Sequence, residues 1–243
     1  LDSRFRGTDD VSALLTAPRA RAHTAQTSSR IAEGGVALVV ETRTQNALDR
    51  FISKTRELFA SEPDLDKRWN ALTPILAELL ADPTVTEASK NWPDCVAKEG
   101  RGENLIFYED PDFGFAINGL VKGEARQGRL SGIHDHGYIY TLYGVLDGHE
   151  RIERYDRHDD RSRPDYAEIT LASNVYVGPG EIDLVGPYEI HRENTVGERS
   201  VAVIIRSNKA GNHLQGRYRP ETGEYWQGYG PRQTPIEMFG SPG

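Results

Sequence analysis

The first half of the chain carries the apolar spacing of amphipathic helices. Over residues 45–61, apolar side chains recur every three or four positions, which is the period of one helix face. Residues 65–81 repeat this period after Asp64, a suitable N-cap, and Pro74 within them predicts a kink or break. A third, short helix is expected before a Trp-Pro pair, so that helices occupy about residues 45–92. We expect their apolar faces to pack on the rest of the fold.

From residue 104 onward, the apolar period shortens to two. Alternation of this kind indicates β-strands that are buried on one face. The predicted strands cover residues 114–122, 132–146, 149–155, 167–171, 174–177, 182–185 and 200–206. Asp147-Gly148 predicts a tight hairpin turn between two of them. Many short strands separated by turn signals favour a sandwich or barrel.

The two ends of the chain lack a regular apolar period. Residues 1–36 are rich in Arg, Ala, Ser, Thr and Gly, which predicts a loosely ordered arm, a tether or a contact in a homo-oligomer. The apolar patch 37–41 predicts an edge strand, and the tail from Gly211 is expected to wrap the barrel. The sequence therefore predicts one domain over residues 37–243, with a β-barrel at about 104–210 behind the helices.

Composition narrows the class of protein. The chain has 243 residues and a formal charge of -8, and its 24 Gly and 13 Pro suit a turn-rich β protein. The acidic balance argues against a nucleic-acid partner. Without an apolar run of about 18 residues or a secretory signal, neither a membrane span nor export is expected. The single cysteine, Cys95, fits a reducing compartment, which predicts a cytoplasmic protein.

The most strongly patterned segment, residues 128–148, contains two histidines near its start. His134 and His136 are two positions apart, so that a strand would place both imidazoles on one face, within reach of one metal ion. Gly128 lies six positions before the first histidine, and Thr141 lies five positions after the second. Bare histidine pairs also occur on ordinary surfaces, so the metal-site hypothesis needs a second motif.

A second patterned segment, residues 178–194, combines turn signals, a short predicted strand and His191. Together the two segments resemble the two motifs of the cupin superfamily, with Thr141 where most cupins carry a glutamate. Residues 133–136 and 191–194 resemble the corresponding runs of the cysteine dioxygenase family of thiol dioxygenases. The resemblance implies a mostly β fold, the cupin double-stranded β-helix or jelly-roll barrel, with N-terminal helices packed against it.

The same resemblance implies that His134, His136 and His191 bind Fe(II), at which a small thiol is oxidised to a sulfinic acid by O2. Three neutral imidazoles would leave the ion its full charge and open positions for substrate and water. Thr141 cannot serve as an anionic ligand at neutral pH. Imidazole also binds Zn, Ni and Cu, and a metal-free barrel with buried histidines is the alternative interpretation.

The sequence departs from the family in the strand at residues 200–206. Arg206 stands where the family keeps a catalytic tyrosine, and a guanidinium can grip a carboxylate through two hydrogen bonds. The alternative is a strand-end arginine that faces solvent. Tyr140 is the second candidate catalytic residue, although filling the barrel is the default role of such aromatic side chains. Further candidates to anchor an anionic substrate are Arg126, Arg129 and Arg192.

The sequence therefore predicts a non-haem Fe(II) dioxygenase. Its predicted partners are O2 and a small thiol or related metal-chelating substrate other than free cysteine. A non-oxidative metal-dependent cupin enzyme, such as an isomerase or lyase, is one alternative. A ligand-binding cupin without turnover is the other.

Overall fold

A computed structural model of the protein describes residues 45–123 and 131–240. The predicted arm at residues 1–36 and the apolar patch at 37–41 lie outside this part of the chain. The described helices are α1 (Ala47–Ser61), α2 (Leu65–Leu80) and α3 (Pro83–Ser89). The described strands are β1 (Glu103–Glu109), β2 (Ala116–Lys122), β3 (Ile133–His134), β4 (Thr141–Arg157), β5 (Ile169–Val177), β6 (Ile182–Val185), β7 (Ile190–Arg206), β8 (Leu214–Arg219), β9 (Glu224–Tyr229) and β10 (Arg232–Pro235).

Each helix begins at a capping side chain. The Asn46 side chain accepts a hydrogen bond from the Asp49 backbone N–H, and the Asp49 carboxylate accepts one from the Asn46 backbone N–H, which forms a capping box before α1. Asp64 caps α2 as predicted, because its carboxylate accepts from the Lys67 backbone N–H. α2 continues through Pro74, so the proline does not break the helix.

The helices pack their apolar faces on the sheet, as the sequence predicts. Trp69, Leu72 and Leu76 of α2 are almost completely buried in one core cluster shared with β2, β4 and β7. Phe59 of α1 meets Phe115, just before β2, edge to face at 5.3 Å between ring centroids. Burying each such side chain contributes about 1.5–3 kcal/mol, so the helices and the sheet stabilise one another.

Two strands of 17 residues, β4 and β7, form the centre of the sheet. They pair antiparallel along almost their whole length, while β7 also pairs with β3 near its start and with β2 near its end. Both strands change neighbours along their length, and the sheet therefore curls. Its concave face carries buried polar residues. β8 and β9 extend the sheet beyond β3, and β10 pairs with β1.

The hairpin predicted at Asp147-Gly148 is wrong, because β4 runs through both residues. The register between β4 and β7 shifts on each side of Asp147, and Gly148 has a φ of +74°. Asp147-Gly148 therefore forms a β-bulge, which bends the strand but does not end it. A side chain at Gly148 would also meet the Arg199 backbone oxygen, since an added Cβ would lie 2.2 Å from it.

The predicted fold class is confirmed: the described chain is mostly β, with a curled sheet preceded by three helices. The tail beyond residue 210 continues the sheet as β8, β9 and β10. None of the described helices is long and apolar enough to span a membrane. The proposed division into an arm and one domain stays a prediction.

Candidate metal centre

The three predicted histidines come together where β3 meets β7. His134 at the end of β3 pairs directly with His191 near the start of β7, and His136 follows two residues after β3. The ring centroids lie 4.6–5.0 Å apart. His136 and His191 are almost completely buried, at 2% and 0% exposure. The pairing register of the sheet therefore builds the cluster.

His136 is aimed by the turn that follows β3 and not by a continuing strand. The buried Asp135 carboxylate accepts hydrogen bonds from the backbone N–H groups of Gly137 at 2.7 Å and Gly216 at 3.1 Å. It also accepts from the Tyr218 hydroxyl at 2.6 Å. Gly137 has a φ of +65°, a conformation that favours glycine. The turn is thus tied to β8, which fixes the direction of the His136 ring.

Backbone carbonyls set the tautomer of two of the rings. His134 Nδ1 lies 3.0 Å from the Gly132 oxygen, and His191 Nδ1 lies 2.9 Å from the Glu189 oxygen. A carbonyl only accepts, so each Nδ1 carries the proton and Nε2 keeps its lone pair when the ring is neutral. Histidines that bind metals are oriented in this way.

The free nitrogen atoms converge on one point. His134 Nε2 and His136 Nε2 are 3.2 Å apart, and His136 Nδ1 has no hydrogen-bond partner among the described residues. Two lone pairs at this distance repel unless a proton or a cation lies between them. The donor set therefore fits a divalent metal ion.

Glu193 adds a carboxylate that the sequence does not predict as a ligand. It lies on β7 two residues after His191, and its Oε1 is 3.2 Å from His191 Nε2. The ligand atoms of Glu193 and the three histidines all lie within 4.8 Å of one another. The signal in the sequence is the spacing of two, which puts Glu193 on the same strand face as His191.

Burial and mutual charge set the protonation of the cluster. Burial, followed by the charge of His191, lowers the pKa of His134 to about 3. The same two causes hold the pKa of His136 well below its usual value. Burial alone would lower the pKa of His191, but the charge and hydrogen bond of Glu193, together with the Glu189 carbonyl and Asp183, raise that pKa. Burial would raise the pKa of Glu193, yet the charge and hydrogen bond of His191, together with the charges of His134 and Lys122, hold it well below its usual range.

Arg206 lies inside the fold and does not face solvent. Its side chain is almost completely buried, and Nη1 donates to Asn118 Oδ1 at 3.0 Å. No carboxylate lies within ion-pair distance of it in the described part of the chain, and Nε has no hydrogen-bond partner there. Burial lowers its pKa to about 10, while the charge of Glu193 acts in the opposite direction. Thr141, buried on β4, is its direct cross-strand partner.

Tyr140 occupies a different place from the one expected of a catalytic residue. Its ring stacks on Trp69 of α2 with an interplanar angle of 4°, and its hydroxyl donates to Asp66. That hydrogen bond, more than burial, raises its pKa to about 12. These contacts make Tyr140 part of the packing between the helices and the sheet, and they give no support to a catalytic role.

The other arginines predicted to anchor the substrate either pair with another side chain or lie outside the described residues. Arg192 pairs with Glu153, and its guanidinium lies over the Tyr155 ring. Arg126 and Arg129 fall in residues 124–130, which the structure does not describe, and so does the framing Gly128.

The comparisons with known proteins find likeness in fold only. No family model matches the chain, and no curated protein matches it. A double-stranded beta-helix protein from Klebsiella pneumoniae is 11% identical, covering 53% of this chain and 85% of its own, with a TM-score of 0.36. A cupin superfamily protein from Desulfitobacterium hafniense is 15% identical over 47% of this chain and 84% of its own, with a TM-score of 0.31.

An oxalate decarboxylase from Lactobacillus farciminis is 12% identical over 47% of this chain, with a TM-score of 0.34. The chain spans only 31% of that decarboxylase and 51% of peruvianin-I, a cysteine peptidase from Thevetia peruviana latex. Matches this distant carry no argument about the site. The resemblance to cysteine dioxygenases therefore depends on the sequence motifs.

Replacing any one histidine of the cluster should release the metal. His134→Ala, His136→Ala and His191→Ala each remove a predicted ligand, and loss of even an outer partner costs about 10–100-fold in affinity. Metal content and calorimetric affinity would measure the effect, with circular dichroism to confirm folding. His158→Ala is the control, because this exposed histidine contacts Thr170. Full occupancy in His191→Ala would remove it from the ligand set.

Glu193→Gln tests the fourth ligand. The amide keeps the size of the side chain but loses its charge, so we expect metal affinity to fall by at least about tenfold. Glu198→Gln, at an exposed position of the same strand, is the matched control. Unchanged affinity in Glu193→Gln would return the site to the three-histidine centre that the sequence predicts.

Proposed function

We propose that this chain is a non-haem, Fe(II)-dependent dioxygenase of the cupin type, acting with O2 on a small metal-chelating substrate such as a thiol. The observation that carries the proposal is the convergence of three imidazoles and the Glu193 carboxylate within 4.8 Å. Iron, O2 and the thiol come from the resemblance of the two histidine motifs to thiol dioxygenases. Zn, Ni and Cu suit the same donor atoms.

His134, His136, His191 and Glu193 would hold the ion. Bound iron would supply Lewis acidity and O2 chemistry. Burial keeps the imidazoles of His134 and His136 neutral. The carbonyls of Gly132 and Glu189 orient the rings of His134 and His191. By holding substrate and ion close together, these residues would contribute to catalysis through proximity.

Arg206 would bind an anionic group of the substrate. Among the described residues, Asn118 is the one hydrogen-bond partner of this buried guanidinium, and such a charge is costly to bury unless it receives a counter-charge. Asn118 would hold the guanidinium plane, leaving its remaining N–H groups to grip a carboxylate. The charge of Arg206 also helps to lower the pKa of His136, which indicates that the two side chains interact.

A buried ion pair supports the wall behind Glu193. Lys122 Nζ donates to Glu150 Oε2 at 2.7 Å and to the Glu193 backbone oxygen at 3.1 Å. The other oxygen of Glu150 accepts from the hydroxyls of Tyr143 at 2.6 Å and Ser200 at 2.7 Å. This network ties β2, β4 and β7 together, and it positions the backbone that carries the carboxylate ligand.

A non-oxidative metal-dependent enzyme, an isomerase or a lyase, is the second candidate. The observation that favours it is Glu193 itself. A carboxylate ligand cancels part of the charge of the ion and takes one of its positions, in contrast to the expected three-histidine centre. A metal used only as a Lewis acid would need neither O2 nor a change in oxidation state. The predicted cytoplasmic location and homo-oligomer are further parts of the proposal.

Oxygen consumption distinguishes the two functions. Protein loaded with Fe(II) under anaerobic conditions would be mixed with thiols, diketones and catechols in an O2 electrode. We expect O2 loss that depends on one class of substrate and disappears in His191→Ala. Product formed without O2, or with zinc or nickel in place of iron, would instead establish the non-oxidative enzyme. A tightly held compound that is never turned over would identify a binding protein.

Arg206→Lys should weaken substrate binding without releasing the metal. Lysine keeps the charge but loses the planar fork, and a charged hydrogen bond contributes about 1.5–3 kcal/mol, on the order of ten- to a hundred-fold in binding. We expect a higher KM for an anionic substrate at unchanged iron content. Arg199→Lys, on the same strand but paired with Asp147, is the control. Unchanged KM and kcat in Arg206→Ala would show that the anchor lies elsewhere.

A further inference from the structure

One wall of the site carries three polar side chains to which the proposed function gives no role. His213, Gln215 and Arg217 alternate along β8 and the residue before it, so they share one face. Arg217 is the direct cross-strand partner of His134 in the pairing of β3 with β8. Direct partners point to the same face of a sheet. This row, which we call the β8 wall, therefore lies on the face that carries the metal ligands.

The β8 wall has more hydrogen-bonding groups than the other described residues satisfy. Gln215 is 1% exposed and His213 is 6% exposed. Gln215 Oε1 accepts from Arg217 Nη2 at 3.0 Å, but Gln215 Nε2 has no partner among the described residues. Neither ring nitrogen of His213 has a well-formed hydrogen bond there, although the ring lies beside the His136 backbone. Buried polar groups are normally paired, so this wall suits a polar ligand.

On the opposite face of β8, the polar groups have hydrogen-bond partners. Tyr218 donates its hydroxyl to Asp135, and the Gly216 N–H donates to the same carboxylate. An added Cβ at Gly216 would lie 2.1 Å from Asp135 Oδ2, so the face is closely packed. The unpaired groups of β8 are therefore confined to the side that carries His134.

The positive charges of two arginines beside the cluster indicate the kind of ligand. In the described part of the chain, neither Arg206 nor Arg217 has a carboxylate within ion-pair distance. Burial lowers the pKa of Arg217, and the charges of Asp135 and Glu193 oppose that shift without contacting it closely. The positive charge of Arg217 in turn helps to lower the pKa of His134. Two partly compensated guanidiniums thus flank one metal cluster.

We propose that Arg217, backed by Gln215 and His213, binds a second anionic group of the substrate. The substrate class is then a small organic acid with two anionic groups, one held by Arg206 and the other by the β8 wall. This inference rests on the proposed function for the place of the substrate beside the metal. It extends that function by naming a feature of the substrate that the histidine motifs do not specify.

Binding of matched acids tests the β8 wall without turnover. Zinc-loaded and metal-free protein would be titrated calorimetrically with malonate, succinate and glutarate, and with the monoacids propionate, butyrate and valerate of the same chain lengths. We expect at least one diacid to bind on the order of ten- to a hundred-fold more tightly than its monoacid. Arg217→Gln should remove this preference while the affinities for the monoacid and for zinc stay unchanged.

Two further variants separate binding from structure. Arg217→Lys should keep part of the preference, because the charge stays and the fork is lost. Arg219→Gln removes an exposed arginine of the same strand that pairs with Glu224, and it should keep the full preference. No preference for any diacid, or a preference that survives Arg217→Gln, would overturn the proposal.

Zinc binding separates this result from the proposed function. A loss of zinc affinity in Arg217→Gln at unchanged diacid preference would also overturn the inference, since Arg217 would then serve only as a counter-charge in the cluster. Failure of the wild-type protein to take up any metal would overturn the proposed function instead. The diacid preference of the metal-free protein, and its loss in Arg217→Gln, would then still support anion binding at the β8 wall.

Discussion

The pairing of β3 with β7 at His134 and His191 is the contact on which the candidate site depends. β3 has only two residues, so it contributes little stability of its own and is held between β7 and β8. The register of this short pairing sets which side chains face one another. A slip by one residue would turn His134 away from the cluster, because successive side chains of a strand point to opposite faces. The bonds of Asp135 to the next turn and to β8 oppose such a slip.

Much of the fold could be predicted because helices and capping side chains depend on nearby residues. The spacing of apolar positions places α1 and α2 within a few residues, and Asp64 begins α2 as expected. The turn at Asp147-Gly148 could not be judged locally. The same dipeptide suits a hairpin turn or a β-bulge. The bulge forms because β4 continues through it and pairs with β7 on both sides.

In the candidate site, too, some residues could be predicted from local sequence and others depend on tertiary contacts. The motifs identify the three histidines, because ligand type and spacing are written in the sequence. Tyr140 is different: α2, which supplies Asp66 and Trp69, lies about 70 residues earlier, so its direction depends on a tertiary contact. The place of Arg206 inside the fold could be stated only as one of two alternatives. The proximity of Arg217 to His134 depends on which strands pair, and no local pattern encodes that choice.

Two buried polar clusters, one around Glu150 and one around the histidines, differ in how completely their hydrogen bonds are satisfied among the described residues. Around Glu150, each carboxylate oxygen has donors from Lys122, Tyr143 or Ser200, so the network can act as a rigid support. Around the histidines, buried atoms of His136, Thr141, Arg206, His213 and Gln215 have no hydrogen-bond partner among the described residues. Others of this kind occur elsewhere, for example on Thr55 and Asn104. Leaving such groups unpaired costs stability, so the number of them around the histidines supports the proposal that a ligand binds there. The groups on Arg206 and Gln215 donate hydrogen bonds and so suit an anionic ligand, whereas the lone pairs of the histidine cluster suit a cation.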